Sequence, residues 1–403
     1  MAGIYIHVPF CQSRCAYCDF YSTTLLTHRE AYVDTVCREL RLRQHELQGE
    51  PIKTIYFGGG TPSTLTIEEL RRILEASPLP LPRRGDSDLS EGLNISEANW
   101  MDQPYIVTPP REGLGEATLE ANPDDLTEEY IQGLRTLPFN RISLGIQSFH
   151  DRTLRLVGRR HTAEEAIDAV HRLQEAGLTN ISIDLIYGLP GETLDDWAYS
   201  LDQAIALGVK HISAYHLTYE EGTRLWRMQE QGLVAPIDEE QSVRSFELLR
   251  EKLLAAGYEH YEISNFALPG YHSRHNSSYW QGTKYIGIGP GAHSYDGRNR
   301  RWNLSSLTDY IATPQGHDVP HEVEHLTIEE RYDERIITEL RTARGIDLTG
   351  LLTDFGDTYH THCLRCATPY INRGQLIHTE DNHLCLTPES ILVSDAVMRD
   401  LLY

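Results

Sequence analysis

Apolar residues recur along the chain in two alternating rhythms. Short runs of apolar residues end in Gly, Pro or Asn, and longer stretches between them place apolar positions three and four apart. The first short run, residues 3–10, predicts a buried strand, and a second, residues 54–57, runs directly into Gly58-Gly59-Gly60-Thr61-Pro62. Further strands are expected over 117–121, 141–147, 180–187 and 211–217. The stretches 27–47, 67–74, 127–137, 163–176 and 194–207 predict helices, the last two stopped by Gly177 and Gly208. Val33, Val36, Cys37 and Leu40 share one helical face, so Cys37 reads as a core thiol. Six strands alternating with helices predict an α/β fold of parallel βα units. Periodicity alone leaves a partly closed barrel and an open doubly wound sheet both standing.

Residues 77–115 break the alternation. They are rich in proline and glycine, hold no period, and read as an irregular surface insertion. After the sixth strand the pattern predicts a helix over 242–256 and a strand over 258–263. The stretch 264–310, rich in His, Tyr, Trp, Asn and Gly, reads as loops and short strands. Thr327 and Glu330 then form a capping-box pair ahead of a helix carrying Ile336, Ile337 and Leu340. Helical segments near 348–355 and 390–402, with a short strand at 384–386, complete a mostly helical, winged-helix-like unit. The expected division is 1–220, 221–320 and 321–403.

Composition narrows the partners. The 403 residues are 40% hydrophobic and carry a net charge of −23. A field of that sign repels phosphate backbones and argues against a nucleic-acid partner. No apolar stretch approaches the roughly 20 residues of a membrane-spanning helix, which leaves only peripheral membrane contact. Seven cysteines in so long a chain do not make a disulfide framework, and no secretory leader is visible, so a reducing, cytoplasmic setting is expected.

Chemistry concentrates at two places. Cys11-Gln-Ser-Arg-Cys15-Ala-Tyr-Cys18 directly follows the first strand. A four-iron cube takes four thiolates, so three local ones leave one iron open to a further ligand. A zinc site with His7 as fourth ligand, or plain buried thiols, are the alternatives. The glycine triplet after the second strand lets a ligand approach the backbone closely. In parallel α/β sheets, ligands bind at the carboxyl ends of strands, where both loops fall. Cys363 and Cys366, spaced for either a zinc clip or a helix core, and Cys385 lie in the C-terminal unit.

These loops, in this order, resemble the radical S-adenosylmethionine superfamily. The likeness extends to the coproporphyrinogen-dehydrogenase-like family through residues 5–10 (YIHVPF), 119–123 (LEANP), 145–149 (GIQSF), 158–161 (GRRH), 184–190 (DLIYGLP) and 287–291 (GIGPG). The resemblance implies a partial (β/α)6 barrel. It implies a [4Fe–4S] cluster held by Cys11, Cys15 and Cys18, and S-adenosylmethionine bound by Tyr5, Tyr17, Gly59, Gly60, Thr61, Glu120, Gln147, Arg159 and Asp184. Carboxylates suit an ammonium group and ribose hydroxyls, and a guanidinium suits a carboxylate.

Within the family, two branches compete. A porphyrinogen-decarboxylating branch resembles Cx3Cx2CxC, whereas Phe20 stands here at the extra cysteine's place and only ten residues precede Cys11. A heme-chaperone branch, which hands heme to apo-hemoproteins, is known by the pattern that His275-Asn276-Ser277-Ser278-Tyr279-Trp280 matches. That likeness implies His275 as a heme-iron ligand, with Tyr279 and Trp280 as apolar walls; His272 and His293 are secondary candidates. It favours a heme chaperone, monomeric or homodimeric, over an oxygen-independent coproporphyrinogen III dehydrogenase. Intact cofactor positions leave enzymatic turnover an open question. Arg298, Arg300 and Arg301 form a basic knot in an acidic chain and read either as partners for heme propionates or as a solvated turn.

Overall fold

The computed structural model describes residues 2–47, 49–77 and 115–403, so nearly all of the expected insertion lies outside the described residues. The six expected strands form as β1 (Ala2–Val8), β2 (Ile52–Gly59), β3 (Glu116–Ala121), β4 (Arg141–Gln147), β5 (Ile181–Tyr187) and β6 (His211–His216). Each pairs in parallel with the next. Parallel neighbours need a crossover, and helices Arg29–Arg43, Ile67–Ala76, Glu128–Leu134, Ala163–Glu175 and Leu194–Ala206 lie along the connections. Thr66, Thr162 and Thr193 each cap one of them through a reciprocal bond with Glu69, Glu165 and Asp196.

Each strand carries two columns of side chains, because successive residues point to opposite faces. One column is apolar and buried: Ile4, Ile6, Val8, Ile55, Phe57, Leu119, Ile142, Leu144, Ile183, Leu185 and Ile212 belong to one core with the crossover helices. Burying one such side chain contributes about 1.5–3 kcal/mol. The other column is polar. Tyr56, Glu120, Ser143, Ser182, Asp184, Ser213 and Tyr215, from β2 to β6, meet around one enclosed cavity with Ser273 and Asn276. The sheet therefore curves around its polar face without closing.

Residues 264–310 hold more strand than their sequence suggests. β7 (Glu259–Glu262) and β8 (Asn265–Ala267) extend the sheet antiparallel beyond β6. On the opposite side β9 (Lys284–Ile288) pairs with β1 as a seventh parallel strand. β10 (His293–Tyr295), β11 (Asn299–Asn303) and β12 (His321–His325) continue outward, antiparallel. The twelve-stranded order is β12-β11-β10-β9-β1-β2-β3-β4-β5-β6-β8-β7. Strands of three to five residues leave little periodic signal, and the partner of β9 lies at the far amino end. One sheet thus runs unbroken across residue 220.

A second core begins at Tyr332, with Ile336, Leu340, Leu348, Leu351, Cys363 and Met398. Helices Ile328–Leu340, Leu348–Phe355, Asp357–Asn372 and Ser394–Leu401 surround a small antiparallel sheet of β13 (Ile346–Asp347), β14 (Leu376–His378) and β15 (His383–Leu386). Helix Asp357–Asn372 was masked in the sequence by Pro369 near its end. Cys363 is buried in this core, and Cys385 Sγ donates to the Arg344 carbonyl at 3.0 Å.

Candidate functional site

The cysteine loop leaves the carboxyl end of β1 and is pinned at both ends. Cys11 N donates to Thr23 O at 2.9 Å, and Ala16 N to Val157 O at 2.8 Å. The three thiols face a cavity of about 460 Å³ at the carboxyl ends of the strands. Thr61 Oγ1 donates to Cys11 Sγ and Arg159 Nη1 to Cys15 Sγ, each at 3.4 Å. These are donors of the kind that stabilise thiolates. Among the described residues no three His, Cys, Asp or Glu side chains gather tightly enough for a single metal ion. A four-iron cube spaces its thiolates more widely. His7, the alternative fourth zinc ligand, has both ring nitrogens engaged: Nε2 is 3.0 Å from Tyr21 O and Nδ1 is 3.2 Å from Tyr5 Oη.

Of the nine residues expected at S-adenosylmethionine, eight line this cavity: Tyr17, Gly59, Gly60, Thr61, Glu120, Gln147, Arg159 and Asp184. The glycines are required by geometry. Gly59 has φ +109°, and a Cβ at Gly60 would sit 2.8 Å from the Phe10 carbonyl oxygen. Gln147 also has positive φ, +72°, where β4 bulges against β5, and this turns its side chain into the cavity. Glu120 accepts from Tyr56 Oη at 2.7 Å and from Gly59 N at 3.2 Å. Burial nevertheless raises its carboxyl to about 7, and that of Asp184 to about 6. Arg159 donates to Asn122 Oδ1 and Gly145 O at 2.6 and 2.5 Å, while its buried Nε has no partner among the described residues. Two carboxylates and a guanidinium on one enclosed wall suit a zwitterionic ligand with an added positive charge.

Tyr5, the ninth, is not among the residues that line this cavity. It lies below the cavity, its ring 6.1 Å from that of Tyr56 and 6.4 Å from that of His275. Its position on β1, two residues before His7, faces the interior rather than the strand ends. Asn122, Ser143, Gly145 and Tyr215 line the cavity and were missed. Their signal was strand alternation: 143, 145 and 147 share a face of β4, and 213 and 215 a face of β6.

The HNxxYW motif forms the short helix Arg274–Trp280 at the opposite, amino end of the strands. Glu116, the first residue of β3, accepts from Arg274 N and His275 N, each at 3.1 Å. His275 Nδ1 is 2.8 Å from Thr54 Oγ1, and Nε2 is 2.8 Å from Tyr279 Oη. Its ring stacks on Tyr56 at 5.0 Å and 22°. Burial pushes its pKa down to about 3. Both ring nitrogens are thus engaged, and ligating iron would require one of these bonds to open. Trp280 points elsewhere, under the Arg341 guanidinium at 5.1 Å. Two arginines of the knot are already paired. Arg300 pairs with Glu334, and Arg301 grips Asp318 with two bonds of 2.9 and 2.7 Å, so protein carboxylates already take these charges.

A curved, mostly parallel sheet with a three-thiol loop and a glycine triplet at its carboxyl end defines a radical S-adenosylmethionine protein. The superfamily's model matches residues 5–204. Coproporphyrinogen III oxidase (HemN) from Escherichia coli superposes with a TM-score of 0.76 over 99% of this chain and 89% of that one, at 19% identity. That likeness speaks for the fold alone. "Heme chaperone HemW" of Lactococcus lactis is 33% identical across 99% of this chain and 96% of its own length. The protein of that name in Bacillus subtilis is 32% identical across 98% of each chain, and that in Synechocystis 34% across 98% and 95%. The chain belongs to the HemW family.

Proposed function

We propose that the protein is a heme chaperone: it binds heme and passes it to apo-hemoproteins. The observation that carries this reading is end-to-end relatedness at 32–34% identity to proteins named for that role. Phe20 supports it. Where the decarboxylating branch has a further cysteine, this side chain stands 64% exposed at the cavity rim.

In this reading Cys11, Cys15 and Cys18 hold a [4Fe–4S] cluster. Tyr17, Gly59, Gly60, Thr61, Glu120, Gln147, Arg159 and Asp184 surround S-adenosylmethionine. The cluster, when bound, supplies an electron to the sulfonium. The protein's own residues hold the ligand: Glu120 and Asp184 match its positive groups, Arg159 matches its carboxylate, and the glycines leave room for its close approach. For His275 to ligate iron, helix Arg274–Trp280 must swing away from Thr54 and Tyr56.

The test uses full-length protein reconstituted with iron and sulfide under anaerobic conditions. Hemin is titrated in, and transfer to an apo-globin is followed by absorbance. Coproporphyrinogen is supplied in a parallel reaction. Hemin uptake and transfer without decarboxylated porphyrin are expected. A cluster-loaded protein that takes no hemin, or that decarboxylates coproporphyrinogen, overturns the reading.

A further inference from the structure

A second cavity, of about 440 Å³, opens between helix Arg274–Trp280 and the C-terminal unit. We propose that this cleft is a heme seat, with His272 as the iron ligand, accessible without any movement of the buried His275. The proposal rests on the heme-chaperone reading and locates its cargo.

His272 is set up as a ligand. Its side chain is 41% exposed and lines the cleft. Nε2 lies 2.7 Å from Glu259 Oε2, and no described residue bonds Nδ1. A carboxylate on one imidazole nitrogen fixes the tautomer and raises the basicity of the other, the arrangement found behind metal-bound histidines. The ring is also held in orientation. It stacks on Tyr261 at 4.2 Å and 12°, and Tyr261 Oη is itself 2.7 Å from His211 Nε2. Stacking leaves the ring edge that carries Nδ1 without a bond to a described residue, and a neutral imidazole can ligate through either nitrogen.

The remaining walls suit an amphipathic macrocycle carrying two carboxylates. Trp280 supplies an aromatic wall, and its Nε1 is buried with no partner among the described residues. Arg341 lies over that ring, and its Nε is likewise buried without a partner among them. Arg344 lines the cleft, with Nε 3.2 Å from His383 Nε2 and its terminal amino groups free of bonds to described residues. The Arg344 guanidinium on the cleft wall thus matches a propionate. The acidic lining residues are already committed: Glu339 accepts from Arg335 Nε at 2.8 Å and Asp347 N at 2.9 Å, and Asp347 caps Gly350 N at 3.0 Å. An open-sided seat also suits a cargo that must leave.

Cluster-loaded full-length protein decides the matter by hemin titration, reading Soret position and affinity. Thermal melting and iron content are measured on every variant. His272→Ala is expected to weaken hemin at least tenfold and shift the Soret band, with melting and cluster content unchanged. Glu259→Gln, which leaves the ligand in place, is expected to weaken it severalfold, and Arg344→Ala likewise. His275→Ala is expected to lower the melting temperature while keeping the wild-type Soret position. The seat is overturned if His272→Ala and Glu259→Gln both bind as wild type, or if folded His275→Ala alone loses the ligand signature. A wild-type protein that binds no hemin refutes the chaperone reading itself.

Discussion

The Thr54 hydroxyl stands 2.8 Å from Nδ1 of His275, joining residues 221 positions apart in sequence. Thr54 and Tyr56 lie two apart on β2 and hold the same imidazole, one by a hydrogen bond to its edge, the other by a ring stacked on its face. Gly59, at the end of that strand, lines the cavity that the three thiols face. One strand therefore floors the sheet at one end and builds the ligand cavity at the other, roughly 16 Å away by strand rise.

Thr54→Val tests the floor. It leaves a buried ring nitrogen unpaired, which costs about 1–3 kcal/mol. The melting temperature should fall while iron and sulfide per chain stay at wild-type values. An unchanged melting temperature would show that the imidazole is not held here.

A buried arginine ties the seventh parallel strand to the first crossover helix. Arg43 Nη1 donates to Glu39 and to the Gly287 carbonyl, each at 2.8 Å, and Arg43 Nε to Glu46 at 2.8 Å. Arg43→Met strands Glu39, a fully enclosed carboxylate, without its countercharge. Such single removals cost about 3–5 kcal/mol, and denaturant unfolding should show a loss of that order. Adding Glu39→Gln should restore part of it.

Cluster assignment is tested by thiol replacement. Alanine at Cys11, Cys15 or Cys18 should reduce iron and sulfide after reconstitution to a small fraction of wild type. Alanine at Cys37 or Cys363, both core thiols, should leave the content intact. Equal iron loss at all five positions would contradict the assignment.

Glu120 gives a pH dependence with a defined sign. Burial raises its folded carboxyl from 4.5 to about 7, and that of Asp184 from 3.8 to about 6. The folded chain thus binds these protons more tightly than the unfolded chain. Their contribution to stability is complete below the unfolded values and is lost as pH rises through about 6 and 7. Between about pH 5.5 and pH 8 the ligand-free protein should lose thermal stability, and Glu120→Gln should lose less. Affinity for the cationic S-adenosylmethionine should move the other way, rising with pH by up to about tenfold per unit below 7. Calorimetric titration at three pH values checks it; a flat wild-type profile would remove Glu120 from the ligand's charged contacts.

Much of this molecule is legible in its chain. Strong runs such as 141–147 and 181–187 alternate cleanly with capped helices, so the βα order follows from local periodicity. The cysteine loop and glycine triplet announce themselves because their chemistry is carried by neighbours in sequence. Eight cavity residues were reachable through motif likeness. Ser143 and Tyr215 were not, since a lone serine or tyrosine at an alternate strand position looks like any solvent-facing residue until the sheet curves around it. β9 escaped for a related reason: five residues with a glycine acquire strand character only beside β1.

The family, the strand–helix order and the residues available to hold a cluster depend on residue types and spacings along single segments, so the chain alone reveals them. The tertiary structure decided what His275 and His272 can do. Three residues apart in sequence, one has both nitrogens bonded inside the fold, and the other keeps an edge open in the cleft that Trp280 and Arg344 line. That difference comes from Thr54 and Tyr56 on β2 and from Glu259 on β7, strands distant in sequence from each other. No local pattern distinguishes a buried imidazole from an accessible one; only the partners supplied by distant strands do.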